Sequence, residues 1–289
     1  MAGIIKNRER TELLAGVITL GVAVLLLLLA VIFLTRCNAE APENTESTPS
    51  STESAPTEPA APTLPDNPYG PGDFAYNNGY LTCIGGKSSL GIDVSSHQGI
   101  IEWDKVAATD VEFAMVRVGY RGYSNGLICE DTMWLDNMTE ARENGLKIGA
   151  YFFSQAISIE EALEEAAFVL ELLDGLKLDM PIVFDWEPIG DSARTGHMDA
   201  KTLNACAIAF CEAVKAAGYE PMVYFNIDLS SRLLSLTEMQ EQGYHFWLAM
   251  YSNQMTFPYQ VDMWQYSDGG SVPGIQGDVD LNLFFTYDE

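Results

Sequence analysis

Positive charge is scarce in this sequence: 15 Lys and Arg stand against 41 Asp and Glu, a formal net charge of −26. A chain this acidic is repelled by polyanions, which excludes nucleic acid and an anionic membrane surface as partners. Histidine is scarcer still, with only His97, His197 and His245. Neither H-E-x-x-H nor C-x-x-C occurs, so no metal site and no cofactor is expected. Five cysteines are too few for a disulfide framework in a chain of this length. Cys206 and Cys211 fall five apart in a helical stretch, which predicts different faces, while Cys83 and Cys129 can pair but need not. A glycine-rich phosphate loop after the first strand is also missing, which argues against an open dinucleotide-binding sheet.

What the sequence does contain is unevenly spread. Residues 13–34 read "LLAGVITLGVAVLLLLLAVIFL" without a charge, and about 20 such residues suffice to span a membrane as a helix. Lys6, Arg8 and Arg10 precede this run and mostly acids follow it, so residues 1–12 are expected to be a cytoplasmic tail. The rest is then outside a membrane it crosses once. The rival is a cleaved secretion signal, for which Ala39 and Ala41 supply a small-x-small pair, but the apolar run exceeds the usual 7–15 residues or so. Residues 35–66 are rich in Pro, Ser, Thr and Glu with no aromatic residue to bury, which predicts a disordered stalk. Residues 67–89 are expected to extend a folded domain over 90–289.

That domain alternates short apolar runs with helical patterns. The strand candidates begin at "LGIDVS" and "EFAMVRVGY" and end at "VDMWQYS" and "DVDLNLFF". Helical spacing marks "TMWLDNMTEAREN", "SIEEALEEAAFVLELLDGL" and "DAKTLNACAIAFCEAVKAAG", with Gly145, Gly175 and Gly218 where C-caps belong. Near-continuous apolar strands alternating with helices predict a parallel sheet covered by helices. Eight strands in about 200 residues favour an irregular, TIM-like β/α barrel, with crossover helices short or missing in the second half.

Polar residues fall where such a barrel keeps its active site. Asp93, Tyr151, Asp185, Glu187, Asn226, Tyr251, Gln265 and Asp280 are all expected at the C-terminal ends of strands. Asp185 and Glu187 are two apart in "MPIVFDWEPIG", so their side chains share a face while Trp186 points away. Pro188 offers no ladder N–H and stops the strand there. Burying carboxylates costs several kcal/mol each unless they are paired or neutralised. Two at this spacing can divide labour: the one in the more apolar setting has its pKa raised and acts as an acid, while the other stays ionised. Tyr151, Tyr251, Trp264 and Tyr266 offer faces on which sugar rings stack.

The motifs "GIDVSSHQG", "FAMVRVGYRG", "NGLKIGAYFFS", "PIVFDWE", "HFWLAMY" and "MWQYSDGGSVPGIQGDVDLN" follow one another from about Leu90 to Phe285. In that order and spacing the chain resembles the glycoside hydrolase family 25 lysozymes, the Chalaropsis-type muramidases. The resemblance implies an irregular β/α barrel that cleaves the β-1,4 bond from N-acetylmuramic acid to N-acetylglucosamine in peptidoglycan, without a cofactor. By the same resemblance Glu187 is the general acid, Asp185 the carboxylate beside it, and Asp93 and Asp280 the other acids of the cleft. Tyr151, Tyr224, Asn226, Tyr251, Trp264 and Gln265 are then the candidate substrate-binding residues, and the barrel is expected to be monomeric. Two departures stand out: Phe152 replaces a histidine common in relatives and is expected to face away from Tyr151, and "YFNIDL" differs where relatives often show tyrosine or a serine-threonine pair.

Two rivals belong to other classes. A catalytically silent, membrane-tethered wall-binding module has no need of Glu187. A family 18 chitinase needs Asp where this chain has Met180 and Val183. If all four acids repel one another, Asp280→Asn should move the basic limb of the pH profile to lower pH.

Overall fold

The computed structural model describes residues 63–287. The expected tail, the apolar run at 13–34 and almost all of the stalk lie outside these residues. Among the described residues no helix is long and apolar enough to cross a membrane.

Each predicted apolar run becomes a barrel strand: β3 (Lys87–Val94), β4 (Val111–Arg121), β6 (Lys147–Ser154), β7 (Ile182–Trp186), β8 (Pro221–Asn226), β9 (His245–Ala249), β10 (Met263–Gly270) and β11 (Val279–Thr286). A short β5 (Ile128–Glu130) pairs with the end of β4. The sheet runs β3-β11-β10-β9-β8-β7-β6-β4 and closes through β3–β4 pairing. Six junctions are parallel, but β11 is antiparallel to both β10 and β3, so the barrel is mixed and not wholly parallel. Asp280 therefore starts its strand where a C-terminal end was expected. Reversal of the strand still brings it to the same rim, directly opposite Asp93.

Three helices cover the outside where the 3.6-residue spacing predicts them. These are α2 (Trp134–Glu143), α3 (Ile159–Leu173) and α4 (Ala200–Ala216), after a short α1 (Trp103–Ala107). Ser158 and Asp199 cap α3 and α4 by accepting from Glu161 N and Thr202 N. Gly145, Gly175 and Gly218 follow the three helices with φ of 87°, 77° and 88°, a region in which a side chain is disfavoured. Only α5 (Ile227–Arg232) and α6 (Leu236–Glu241) follow in the second half, and none lies between β9 and β10. Cys206 and Cys211 both fall in the buried stripe of α4 together with Leu203, Phe210 and Val214. Standing five apart they still point to different sides of the helix, and both are buried because it packs against both the sheet and α3, so its apolar stripe is wide. Cys83, Cys129, Cys206 and Cys211 are all free thiols.

Strand alternation decides what enters the barrel. Phe113, Met115, Tyr151, Val183, Met222, Tyr224, Trp247 and Met263 pack inside it. A Cβ on Gly91 would lie 2.2 Å from the Phe113 ring, so glycine there is what lets Phe113 cross the interior. Neighbours one residue away point outward, among them Phe152, Trp186 and Trp264. Phe152 faces away from Tyr151, as expected.

Trp264 and Tyr266 are consequently not sugar platforms. Trp264 is fully buried, gives its indole N–H to Met250 O at 2.7 Å and packs edge-on against Phe74. The Tyr266 hydroxyl accepts from Leu81 N. Phe74 and Leu81 belong to a hairpin of β1 (Phe74–Asn77) and β2 (Tyr80–Cys83), whose Asn78-Gly79 turn has both φ positive. The hairpin therefore sits on the outer face of β10. Contact begins earlier still: Asp66 bridges Tyr259, and Pro65 O accepts from Gln260 N. The last predicted stalk residues thus belong to the folded domain.

Candidate active site

At the rim where the parallel strands end, a cleft of about 240 Å³ is lined by Asp93, Tyr151, Asp185, Glu187, Tyr224, Trp247, Tyr251, Gln265 and Asp280, with Arg117 and His97 on one side. A larger cavity of about 1010 Å³ opens at the opposite end of the barrel, beside Lys147, Met180 and His245, and contains none of the four acids.

Asp93 is the fixed centre of the cleft. Its Oδ2 accepts from Gln265 Nε2 at 2.9 Å and Asn282 Nδ2 at 2.8 Å. Those two amides are held in turn: Asn282 Oδ1 accepts from the Trp247 indole at 2.9 Å, and Gln265 Oε1 accepts from the hydroxyls of Tyr224 at 2.8 Å and Tyr251 at 3.2 Å. Burial raises the Asp93 pKa, while its three hydrogen-bond partners, Asn282, Gln265 and Asp280, work in the opposite direction. Asp280 is pushed to about 9, first by burial and then by the Asp93 charge, and it hydrogen-bonds to Asp93. Burial thus raises both carboxyls, and the hydrogen bond between them needs a proton on one of the two.

Asp185 is more deeply placed than Glu187: it is 5% exposed, whereas Glu187 is half-buried at the mouth. Burial, then the charges of Glu187 and Asp93, push Asp185 well above the usual carboxylate range. Glu187 rises to about 7, through burial and then Asp93. Both carboxyls are raised, and the deeper of the two is Asp185. Asp185 Oδ1 is buried and has no hydrogen-bond partner among the described residues. Arg117 does not supply one, because Asp131 binds its guanidinium at 2.8 Å and 2.9 Å and Ser96 takes a third bond. A buried acceptor left open towards a cleft suits an N–H or a positive charge brought by a ligand.

Of the sequence-predicted residues, the cleft gathers the four acids with Tyr151, Tyr224, Tyr251 and Gln265. Tyr251 is 55% exposed and offers the open ring face, whereas Tyr151 and Tyr224 are buried edge-on against Trp247. Asn226 is absent from the lining: its side chain accepts from Leu229 N and caps α5. Trp264 is absent for the reason given above. Sequence reasoning missed Trp247 and Asn282, although a step of two along the strand from Asp280 leads to Asn282.

The sequence profile "Glycosyl hydrolases family 25" matches residues 92–275. Over 202 residues the chain is 31% identical to the uncharacterized protein YegX of Escherichia coli K12, covering 67% of this chain and 68% of that one. It is 27% identical over 196 residues to the autolytic lysozyme of Clostridium acetobutylicum, covering 67% of this chain and 55% of that enzyme. The modular autolysin LytC of Streptococcus pneumoniae superposes with a TM-score of 0.62 at 26% identity, covering 73% of this chain and 52% of the autolysin. That autolysin has also been solved in complex with a synthetic peptidoglycan ligand. The chain thus spans about half the length of these two lytic enzymes.

Proposed function

The chain belongs to glycosyl hydrolase family 25 and is a peptidoglycan hydrolase of the lysozyme type; from that premise we propose how its cleft cuts the bond after N-acetylmuramic acid. Glu187 protonates the leaving glycosidic oxygen. It stands at the open mouth, and with a pKa of about 7 it still holds its proton below neutrality. Asp185 lies deeper, and its unpartnered Oδ1 takes the acetamido N–H of the bound sugar and faces the positive charge that develops at the reacting carbon. Asp93, locked by Gln265 and Asn282, supplies fixed negative charge, and the open face of Tyr251 carries a sugar ring. The observation that carries this reading is a buried cluster of carboxyls with one acceptor left open and one proton donor at the mouth. Purified peptidoglycan digested by the enzyme and then reduced with borohydride should yield muramitol. Glucosaminitol in its place would overturn the bond assignment.

The pH profile follows from the same groups. The proton-donating form of Glu187 is present below its raised pKa, so turnover should fall as pH rises through about 7. Asp280 already keeps its proton at that pH. Asp280→Asn therefore removes no charge and should leave the basic limb in place, contrary to the expectation from four mutually repelling acids. A shift of that limb to lower pH would show that Asp280 is ionised in the working enzyme.

The setting of the barrel is also part of the proposal. The charge-free run at 13–34 and the Pro/Thr/Glu-rich composition after it support a single membrane anchor that holds the barrel on the wall side. Because Pro65 and Asp66 are already paired to the domain, protease added to intact cells should release an active fragment by cutting between Ala41 and Thr63. A barrel that stays protected until the membrane is permeabilised would overturn the orientation.

A further inference from the structure

Glu187 sits one residue beyond the last position of β7 paired with β6 and two beyond the last paired with β8, since the ladders end at Ser154↔Trp186 and Asp185↔Tyr224. Pro188 behind it has no N–H with which to continue the sheet. The Glu187 carbonyl is instead held by a side chain. Gln155, fully buried, gives Nε2 to Glu187 O at 2.7 Å and to Ser154 O at 3.0 Å, and its Oε1 accepts from Thr195 Oγ1 at 2.8 Å. The two carbonyls can only accept, so these three contacts fix which way the amide points. Thr195 lies on the loop that returns from β7 to α4. Beside it, Arg194 donates to Gln155 O at 3.1 Å and to Glu161 Oε1 at 2.6 Å, which pins the same loop to α3.

Resting on the assignment of Glu187 as the acid, we propose that Gln155, clamped by Thr195, is a positioning residue that sets the reach of Glu187 to the leaving oxygen. It touches no substrate. Its effect passes through the Glu187 backbone, and a displacement of about 1 Å at a proton donor can cost on the order of 10²-fold in rate.

The test uses Gln155→Met, which keeps length and loses every polar contact, and Thr195→Val, which keeps shape and loses only the hydroxyl. Thr195→Ser is the conservative control. With peptidoglycan as substrate, kcat should fall roughly 10–100-fold for Gln155→Met and about 10-fold for Thr195→Val, with KM within about threefold, and Thr195→Ser should restore it. A nitrophenyl β-glycoside whose last sugar is N-acetylmuramic acid needs little proton donation, so its turnover should fall less than about threefold in the same variants. Wild-type kcat in both Gln155→Met and Thr195→Val would overturn the proposal, and so would equal losses on the two substrates. Failure of the underlying assignment gives a different result, namely Glu187→Gln turning over peptidoglycan at the wild-type rate.

Discussion

Glu187→Gln is expected to lower the turnover of purified peptidoglycan by about 10²–10⁴-fold, the range that a positioned general acid supplies. The amide matches the carboxyl in size but has no proton to deliver to a leaving oxygen. The fold should survive, because among the described residues no hydrogen bond involves the Glu187 carboxyl; its backbone carbonyl is what Gln155 holds. Equal melting temperatures alongside lost turnover would place the effect in the chemistry. Near wild-type turnover would remove Glu187 from the role and leave the cluster without a proton donor at its mouth.

Asp185→Asn should be comparably damaging to rate, and its effect on stability should have the opposite sign. The structure excludes Asp185 as the ion-pair partner of Arg117, since Asp131 holds that guanidinium. Ionised Asp185 is buried near other carboxyls with one oxygen unpartnered, so in the empty cleft its charge opposes folding. The linkage runs accordingly: a folded-state pKa raised above the unfolded value means that stability is full at low pH and is lost as pH rises through the folded pKa. Asn cannot ionise, so the variant should keep its melting temperature between pH 5 and pH 8 better than the parent does. A variant that melts lower than the parent across this range would mean that Asp185 is structural and that its place in the chemistry has been misjudged.

Recognising the barrel and its acids from sequence worked where the signal is local. A period of two places Asp185 and Glu187 on one face and Trp186 on the other, and helical spacing with capping residues marks α2, α3 and α4. The errors came where the outcome rests on contacts distant in sequence. "WQY" offers three attractive residues, yet alternation admits only Gln265 to the cleft and sends Trp264 and Tyr266 outward under the β1–β2 hairpin. Asn226 ends its strand as a cleft residue would, but the helix that follows immediately takes its side chain as a cap.

Sequence alone determined the acidic character, the charge-free run near the start, the eight strands and the four carboxyls, because composition and short periodicities are properties of neighbouring residues. Only the tertiary structure decided what those carboxyls can do. Asp93 is positioned by Gln265 and Asn282 from 172 and 189 residues away, and it hydrogen-bonds to Asp280 because the last strand runs backwards beside the first. Asp185 is left with an open acceptor because Arg117 was captured by Asp131. Protonation states depend on burial and on charges a few ångströms off, and in a closed barrel those charges come from strands that the chain reaches only at its far end.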